Sequence, residues 1–274
     1  MLKQRVITAI ILFVLFLLAL FGLPALLWSA LVVAMVVLGA VEWARLSGLS
    51  GADGKRYLLI TAVLMLLLVG FDATVSPDLQ VLPHLLVYAS SVVLWVFIVP
   101  VWLMTGWQLR SPWAMGVVGW VVLLPTGLAM MDLRAANPWW LLGIMALVWM
   151  ADISAYFAGK RFGKHKLAPS ISPGKTWEGV AGALLGVAIY VLIVAWATGL
   201  YKQYLVFPSG VLAAWWWVGL AIIGDLFESA IKRQAGVKDS GSLLPGHGGL
   251  LDRIDALTPT LPLAALALIL QRLS

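Results

Sequence analysis

The residues best suited to chemistry lie in and just before one charged segment, Ser229 to Asp255, of an otherwise apolar chain. Asp252 and Asp255 are three residues apart, and Asp225 and Glu228 form a second pair with the same spacing. Residues three apart share one face of a helix. Ionisable groups at the end of an apolar helix are costly, which favours a functional role. In a chain without cysteine, such carboxylates suit a hard cation such as Mg²⁺.

Between the two acidic pairs lies a basic segment with a glycine-rich turn. The turn, residues 244–249, reads LPGHGG. Glycines let backbone N–H groups approach a phosphate closely and form an anion-binding nest. We therefore predict substrate contacts from His247, Gly248 and Gly249, although His247 could instead only hold the loop together. The cations that could neutralise a bound phosphate are Lys232, Arg233, Lys238 and Arg253.

Simpler structural explanations exist for some of these acids. Glu228 and Lys232 have the i,i+4 spacing of a helix-stabilising ion pair. Asp255 could complement the dipole of the apolar helix that follows it. Neither explanation accounts for Asp225, because no basic residue follows it at helical spacing: the position four residues later is Ser229.

A second polar segment, Asp152 to Glu178, is strongly basic. Its Lys and Arg residues are Lys160, Arg161, Lys164, Lys166 and Lys175. They either control topology and attract anionic lipids or bind phosphates. Residues 174–176 imitate the end of a P-loop, but Pro169 replaces the first glycine and no strand precedes it, which excludes a Walker A site. Asp152 either pairs with this basic segment or lines the active cavity.

The composition of the chain indicates a membrane protein. It is 62% hydrophobic and 11% charged, against roughly 25% charged in soluble domains. Its mean hydropathy is +1.01. The absence of cysteine excludes disulfides and thiolate metal sites. The net charge of +6 marks a cytoplasmic face and anionic lipid contacts rather than nucleic acid.

The hydropathy pattern predicts an all-α, polytopic integral membrane protein with about nine transmembrane helices. A spanning helix needs about 20 largely apolar residues. The third segment is short and the last contains two prolines, so either could be re-entrant, and the count ranges from eight to ten. The first apolar segment, Val6–Leu23, is interpreted as a retained helix rather than a signal peptide, because no small-residue cleavage site follows it. The nine segments are Val6–Leu23, Ala25–Val41, Tyr57–Phe71, Leu82–Met104, Trp113–Met131, Trp139–Ala158, Val180–Leu200, Leu205–Leu226 and Leu257–Leu273.

The distribution of basic residues predicts the orientation. With nine spans, 15 of the 18 Lys and Arg residues lie on one side and only Arg134, Lys202 and Arg272 on the other. The positive-inside rule then puts the N-terminus in the cytoplasm and the C-terminus in the periplasm. We expect one membrane domain, 1–274, in which residues 1–135 mainly anchor and residues 136–274 carry the catalytic helices and loops.

The charged segment also resembles a known signature. From Ser229 to Asp255 it follows S-x-I-K-R-x4-K-D-x-G-x2-L-P-x-H-G-G-L-x-D-R-I-D, which is similar to that of the phosphatidate cytidylyltransferases, also called CDP-diacylglycerol synthases. Upstream, residues 152–159 (DISAYFAG) and 172–179 (SPGKTWEG) resemble the same family. These motifs cover roughly the last 45% of the chain, and the first 150 residues match only in hydrophobic character.

The resemblance implies an activity, cofactors and partners. It implies an enzyme that uses Mg²⁺ to react CTP with phosphatidic acid, giving CDP-diacylglycerol and pyrophosphate in phospholipid biosynthesis. It also implies a homodimer in the bacterial inner membrane, with the site near the cytoplasmic face. Family members hold two cations, and a monovalent ion is one option for the second. Asp225 and Asp252 match the acids that hold them.

We expect the remaining residues to support this reaction. Lys232, Arg233, Lys238 and Arg253 would neutralise charge and hold the departing pyrophosphate. Asp239 and Asp255 would support the metal site, Asp255 by direct contact. The predicted substrate-binding residues of the two segments are Lys164, Lys166, Ser172, Lys175, Thr176 and Ser229, with His247, Gly248 and Gly249.

Two other classes of protein share some of these features. A transporter also has acids within broken helices, but these acids cluster at one membrane face, and the two halves of the chain lack a matching pair of interrupted helices. A CTP-dependent lipid kinase would handle the same nucleotide and a lipid. The kinase would release CDP, whereas a cytidylyltransferase releases pyrophosphate.

Overall fold

The chain folds as a bundle of membrane-type helices. The computed structural model describes residues 2–202, 206–243 and 248–273. The helices are α1 (Leu2–Gly22), α2 (Ala25–Leu46), α3 (Gly51–Thr74), α4 (Pro77–Val92), α5 (Val99–Thr105), α6 (Pro112–Ala136), α7 (Pro138–Phe162), α8 (Trp177–Thr198), α9 (Val211–Gln234), α10 (Leu251–Ile254) and α11 (Leu257–Leu273).

The prediction of an all-α, polytopic membrane protein is confirmed. Among the described residues, seven helical stretches are long and apolar enough to cross a membrane. Two shorter apolar helices, Ile10–Gly22 and Leu257–Leu273, match the first and last predicted segments. An antiparallel hairpin of β1 (Lys166–Ala168) and β2 (Ser172–Thr176) interrupts the helical pattern. The prediction that no strand precedes residues 174–176 is therefore wrong, although Pro169 still departs from the Walker A pattern.

Several helices extend beyond their predicted bounds, as α9 does by ending at Gln234 rather than Leu226, and two of the differences have identifiable reasons. Helix α3 starts at Gly51 rather than Tyr57, because its first turns carry charged residues that hydropathy excludes. The span that begins with α4 continues through a π-helical turn, Val93–Ile98, into α5. Pro100 stands at the start of α5 and has no N–H to donate to the preceding turn, and the wider π turn is one way to accommodate that loss.

Helix α6 lies at the centre of the bundle. A Cβ atom on its Gly119 would stand 2.3 Å from the indole of Trp43 and 2.5 Å from the hydroxyl oxygen of Tyr57, so only glycine lets α2 and α3 approach this closely. Trp43 Nε1 donates to the carbonyl of Met115 at 2.8 Å, and Tyr57 donates to that of Gly116 at 3.1 Å. The buried polar atoms of both rings are thereby satisfied inside the apolar core.

The connections that carry the predicted site meet at one end of the bundle. Gln234, at the end of α9, donates to the carbonyl of Leu109 before α6 at 2.8 Å. Arg233 Nε lies 3.4 Å from the carbonyl of Ile171 in the hairpin turn. The charged segments that follow α7 and α9 therefore share one membrane end.

The opposite end contains a histidine clamped by two aspartates. His84 Nε2 lies 2.8 Å from Asp72 Oδ1, and Nδ1 lies 2.9 Å from Asp132 Oδ2, which also accepts a 2.7 Å hydrogen bond from Tyr88. The ligand atoms of the three residues lie within 4.8 Å of one another, so the group could hold a metal ion. However, the two ring nitrogens point in opposite directions and each already faces a carboxylate. This geometry favours an ion-paired clamp that joins α3, α4 and α6.

Replacing His84 with Ala should lower the free energy of unfolding by about 2 kcal/mol, because it leaves two partly buried carboxylates without their shared donor. Thermal unfolding of the detergent-solubilised protein measures the change. Asp78→Asn, an exposed acid on the same helix, is the control and should have little effect. If a chelator destabilises the unmodified protein as much as the substitution does, the group is a metal site rather than a clamp.

Candidate active site

A cavity of about 530 Å³ opens between α7, α8, α9 and the hairpin. Its lining includes Asp152 from α7, Ser172, Lys175 and Thr176 from β2, and Asp225 from α9. The two polar segments of the sequence thus contribute to one cavity, although more than 40 residues separate Lys175 from Asp225.

Glycines on α8 hold one wall of this cavity against α7. A Cβ on Gly182 would lie 2.2 Å from the Cβ of Ala158, and one on Gly186 would lie 2.0 Å from Ser154 Oγ. Thr176 caps the start of α8, where its hydroxyl accepts a 3.1 Å hydrogen bond from the amide of Gly179. The hairpin that carries Lys175 is therefore joined directly to the first turn of α8.

Lys175 and Asp225 form an ion pair at the cavity wall. Lys175 Nζ lies 2.6 Å from Asp225 Oδ2, and Ser229 Oγ lies 3.4 Å from Oδ1 of the same carboxylate. Asp152 interacts electrostatically with both members of the pair. Asp225 retains 34% side-chain exposure, so its carboxylate remains accessible to a ligand in the cavity.

The carboxylate of Asp252 accepts hydrogen bonds on both oxygens. Oδ1 accepts from Lys232 Nζ at 2.6 Å, and Oδ2 accepts from the amide of Ser240 at 3.0 Å and from that of Gly249 at 2.8 Å. Burial disfavours the charged form, but these donors outweigh it and lower the pKa of the Asp252 carboxyl to about 2. Asp252 is therefore a fixed negative charge at neutral pH.

Lys232 is shared between Asp252 and Glu228. Its ammonium lies 3.2 Å from Glu228 Oε1, which agrees with the i,i+4 pair that the sequence predicts. The direction of this contact is poor, however, and neither carboxylate oxygen of Glu228 accepts a hydrogen bond from the described residues. Lys232 therefore compensates the charge of Glu228 without a well-directed hydrogen bond.

Asp255 lies against α9 close to Asp225. A Cβ on Gly224 would stand 2.5 Å from the carbonyl oxygen of Asp255, so the two backbones are nearly in contact. Burial, reinforced by the charge of Asp225, raises the pKa of the Asp255 carboxyl to about 7. Burial is the largest cause of this shift, and a bound cation would favour the ionised form.

The structure shows a role for the signature glycines that differs from the predicted open anion nest. The amide of Gly249 donates to Asp252, and the next two amides, of Leu250 and Leu251, donate to Glu42 on α2 at 2.8 and 2.9 Å. These three N–H groups are therefore already bound by protein carboxylates. A phosphate would have to find other donors in this loop.

Sequence reasoning missed Glu42 because it treated the first half of the chain as an anchor. The residue is 6% exposed and lies on an apolar helix. An ionisable group in such a helix is the same signal that identified Asp225, so the sequence did contain a clue.

Several predicted residues lie away from the cavity or outside its described lining. Arg233, Lys238, Asp239 and Arg253 have exposed side chains near the end of α9 and around α10, and Lys164 and Lys166 are exposed before and at the start of β1. Lys160 lines the cavity instead. His247 lies outside the described residues. Gly248 is described, with a positive φ of 83° that favours glycine, and a Cβ there would be 2.7 Å from Asp252 Oδ2.

The fold and the site together define a class: a multi-pass membrane protein with a carboxylate–lysine cluster and a cavity at one end of its helices. Comparison with known proteins identifies the family. The family model described as "Cytidylyltransferase family" matches residues 3–270, so the chain belongs to this family.

Two curated relatives resemble nearly the whole chain. The phosphatidate cytidylyltransferase of Pseudomonas aeruginosa is 40% identical over 97% of this chain and 96% of its own length. That of Haemophilus influenzae is 32% identical over 96% of each chain. The enzyme of the same name from Thermotoga maritima is 40% identical over 48% of this chain and 49% of its own.

Proposed function

We propose that this protein is a phosphatidate cytidylyltransferase, which converts CTP and phosphatidic acid into CDP-diacylglycerol and pyrophosphate. The observation that carries the proposal is the full-length similarity to two relatives with this activity in their names. The cavity supports it independently. It contains the Lys175–Asp225 ion pair at one membrane end, where a water-soluble nucleotide can meet a lipid phosphate whose acyl chains remain in the bilayer.

The reaction needs no dedicated nucleophilic side chain. A phosphate monoester has a second pKa near 6, so the lipid phosphate is already largely ionised at neutral pH. One of its oxygens forms a bond to the α-phosphorus of CTP, and the bond from that phosphorus to the bridging oxygen of pyrophosphate breaks. Because both reactants are anions, the protein's main tasks are to position them and to neutralise their charge.

The donor set fits a hard cation. The proposed ligands supply carboxylate oxygens, but among the described residues the only group of three whose ligand atoms lie within 4.8 Å of one another is Asp72, His84 and Asp132. Both oxygens of buried Glu228 lack a hydrogen-bond donor among the described residues. In our proposal Asp225, Asp252 and Asp255 hold Mg²⁺ and a second, monovalent or divalent, cation. Bound there, the cations would neutralise the negative charge of the phosphates as it develops.

The lysines of the two ion pairs have complementary tasks. Lys175 orients Asp225 and presents positive charge from the hairpin side of the cavity, with Ser172 and Thr176 beside it. Lys232 orients Asp252 from α9. The further predicted contacts, Lys164, Lys166, Ser229, Gly248 and Gly249, remain proposals. So do the roles of Arg233, Lys238 and Arg253 in holding pyrophosphate and of Asp239 in supporting the site.

The proposed location is the bacterial inner membrane, with the site at the cytoplasmic face. Two observations support it: the asymmetry of Lys and Arg along the sequence and the meeting of the charged connections at one end of the bundle. We also propose nine crossings, a cytoplasmic N-terminus, a periplasmic C-terminus and a homodimer. The dimer rests on the family resemblance.

Incubation of the purified protein with CTP, Mg²⁺ and phosphatidic acid in mixed micelles should release pyrophosphate and produce a cytidine-labelled lipid in equal amounts. Chelation of Mg²⁺ should abolish both products. Release of CDP with a doubly phosphorylated lipid would instead indicate a lipid kinase. The absence of any nucleotide turnover would contradict both enzyme assignments.

A further inference from the structure

We propose that Glu42, in the N-terminal half of the chain, is a positioning residue for Asp252. It would do so by holding the two described parts of the signature loop, residues 235–243 and 248–250. The inference rests on the proposed function, because it takes Asp252 as a group that acts in cytidylyl transfer.

Glu42 accepts hydrogen bonds from two separate parts of the loop region. Its Oε1 accepts from the amide of Leu250 at 2.8 Å, and Oε2 accepts from that of Leu251 at 2.9 Å and from Ser240 Oγ at 2.9 Å. Both oxygens act as acceptors, as an ionised carboxylate requires. One side chain on α2 therefore ties the early part of the loop to its end, about 200 residues later in the chain.

Ser240 links this carboxylate to that of Asp252. It is fully buried, and its hydroxyl oxygen lies 2.9 Å from Glu42 Oε2 and 3.0 Å from Asp252 Oδ2. A hydroxyl has one proton, so the two carboxylates share it. The amide of Ser240 also donates to Asp252 at 3.0 Å. Any movement of Ser240 away from Glu42 therefore changes the hydrogen bonds that orient Asp252.

Two signature glycines are explained by the same residue. A Cβ on Gly241 would lie 2.6 Å from Glu42 Oε1, and one on Gly249 would lie 2.4 Å from Oε2. These distances are shorter than real Cβ contacts, so the loop backbone closes around the carboxylate only because both positions lack a side chain. The loop is thus built on Glu42 as its internal acceptor.

Loss of this acceptor should affect Asp252 more than the helix bundle. Glu42→Gln places an amide N–H₂ against donors that need an acceptor, while it preserves the size of the side chain. Residues that orient a metal ligand typically contribute 10–100-fold to metal affinity or activity. We expect the Mg²⁺ concentration for half-maximal activity to rise, or turnover to fall, by at least about tenfold.

The experiment compares Glu42→Gln and Ser240→Ala with Val36→Ala in the full-length protein. Val36 lies on the same helix and packs in the core against Gly127, so its truncation tests for simple destabilisation of α2. Two quantities are measured: the Mg²⁺ dependence of CDP-diacylglycerol formation, and hydrogen–deuterium exchange without metal in the peptide that contains residues 248–254. If Glu42→Gln does not fold, Ser240→Ala carries the test, because it keeps the acceptor for both backbone amides.

The inference predicts faster exchange in residues 248–254 and an altered Mg²⁺ dependence for Glu42→Gln and Ser240→Ala, with neither change for Val36→Ala. It is overturned if Glu42→Gln behaves as Val36→Ala does, with lower stability but unchanged exchange and Mg²⁺ dependence. Asp252→Asn separates the two proposals. An inactive Asp252→Asn with a normal Glu42→Gln overturns only the role of Glu42, whereas an active Asp252→Asn contradicts the proposed site itself.

Discussion

Asp252→Asn should reduce turnover at least about a hundredfold, because several kcal/mol of charge stabilisation are lost and each 1.4 kcal/mol corresponds to a factor of ten. The substitution removes the negative charge that would hold a cation. It also replaces one acceptor oxygen with an N–H₂ group. The present donors to that carboxylate are Lys232 and the backbone amides of Ser240 and Gly249, and at least one of them would then face another donor.

The same change should destabilise the loop by about 1–3 kcal/mol, since a donor is left without an acceptor in a largely buried position. Activity and thermal unfolding are therefore measured together. Asp53→Asn is a suitable control at the same end of the bundle, because Asp53 forms only an exposed ion pair with Arg56 at 3.2 Å, and such pairs contribute little. Turnover near the unmodified level in Asp252→Asn would remove Asp252 from the metal site.

Asp225→Asn should reduce turnover about as much as Asp252→Asn does, while leaving the free energy of unfolding almost unchanged. Asp225 is more exposed than Asp252, and its partner Lys175 lies at the cavity wall, where water can solvate it after the substitution. The predicted result is thus a folded, inactive protein, in contrast to the partly destabilised Asp252→Asn.

Lys175→Met separates two explanations for the expected loss of turnover in Asp225→Asn. If the ion pair itself mattered most, both substitutions would reduce turnover equally. If Asp225 is a metal ligand, Asp225→Asn should also weaken Mg²⁺ binding, whereas Lys175→Met should mainly raise the KM for CTP. Normal Mg²⁺ dependence and turnover in Asp225→Asn would contradict its assignment as a ligand.

Local patterns in the sequence predicted the helices well. Among the described residues, each of the nine apolar segments overlaps a helix, because hydropathy adds up along a segment and does not depend on what the segment contacts. The errors in secondary structure occur where polar or charged residues lie inside a helix or form a strand, so that hydropathy gives no signal. The charged first turns of α3 hid its true start, and the polar residues of the hairpin lack the apolar alternation that would reveal short strands.

The acids were singled out by local reasoning and their roles stay a prediction, whereas their long-range partners were not predicted. Asp252 stood out through its spacing to Asp255 and through the family resemblance. An ionisable residue in an apolar helix is expensive wherever that helix packs, so Asp225 stood out in the sequence. Glu42 carried the same signal and was overlooked among anchoring helices. The glycines around residue 248 were interpreted as a close approach to a phosphate, which stays a prediction. In the structure Gly249 lies against Glu42 and Gly248 against Asp252.

By itself, the sequence determined the membrane class, the helices and the family resemblance, all of which depend on residue types and their spacing. Only the tertiary structure decided which charges meet. The pairing of Lys175 with Asp225 and of Glu42 with Ser240 joins distant parts of the chain. Apolar helix surfaces are nearly equivalent in lipid, so hydrophobicity cannot select these neighbours. The neighbours are selected instead by close packing at glycines and by buried polar groups, which need hydrogen-bond partners.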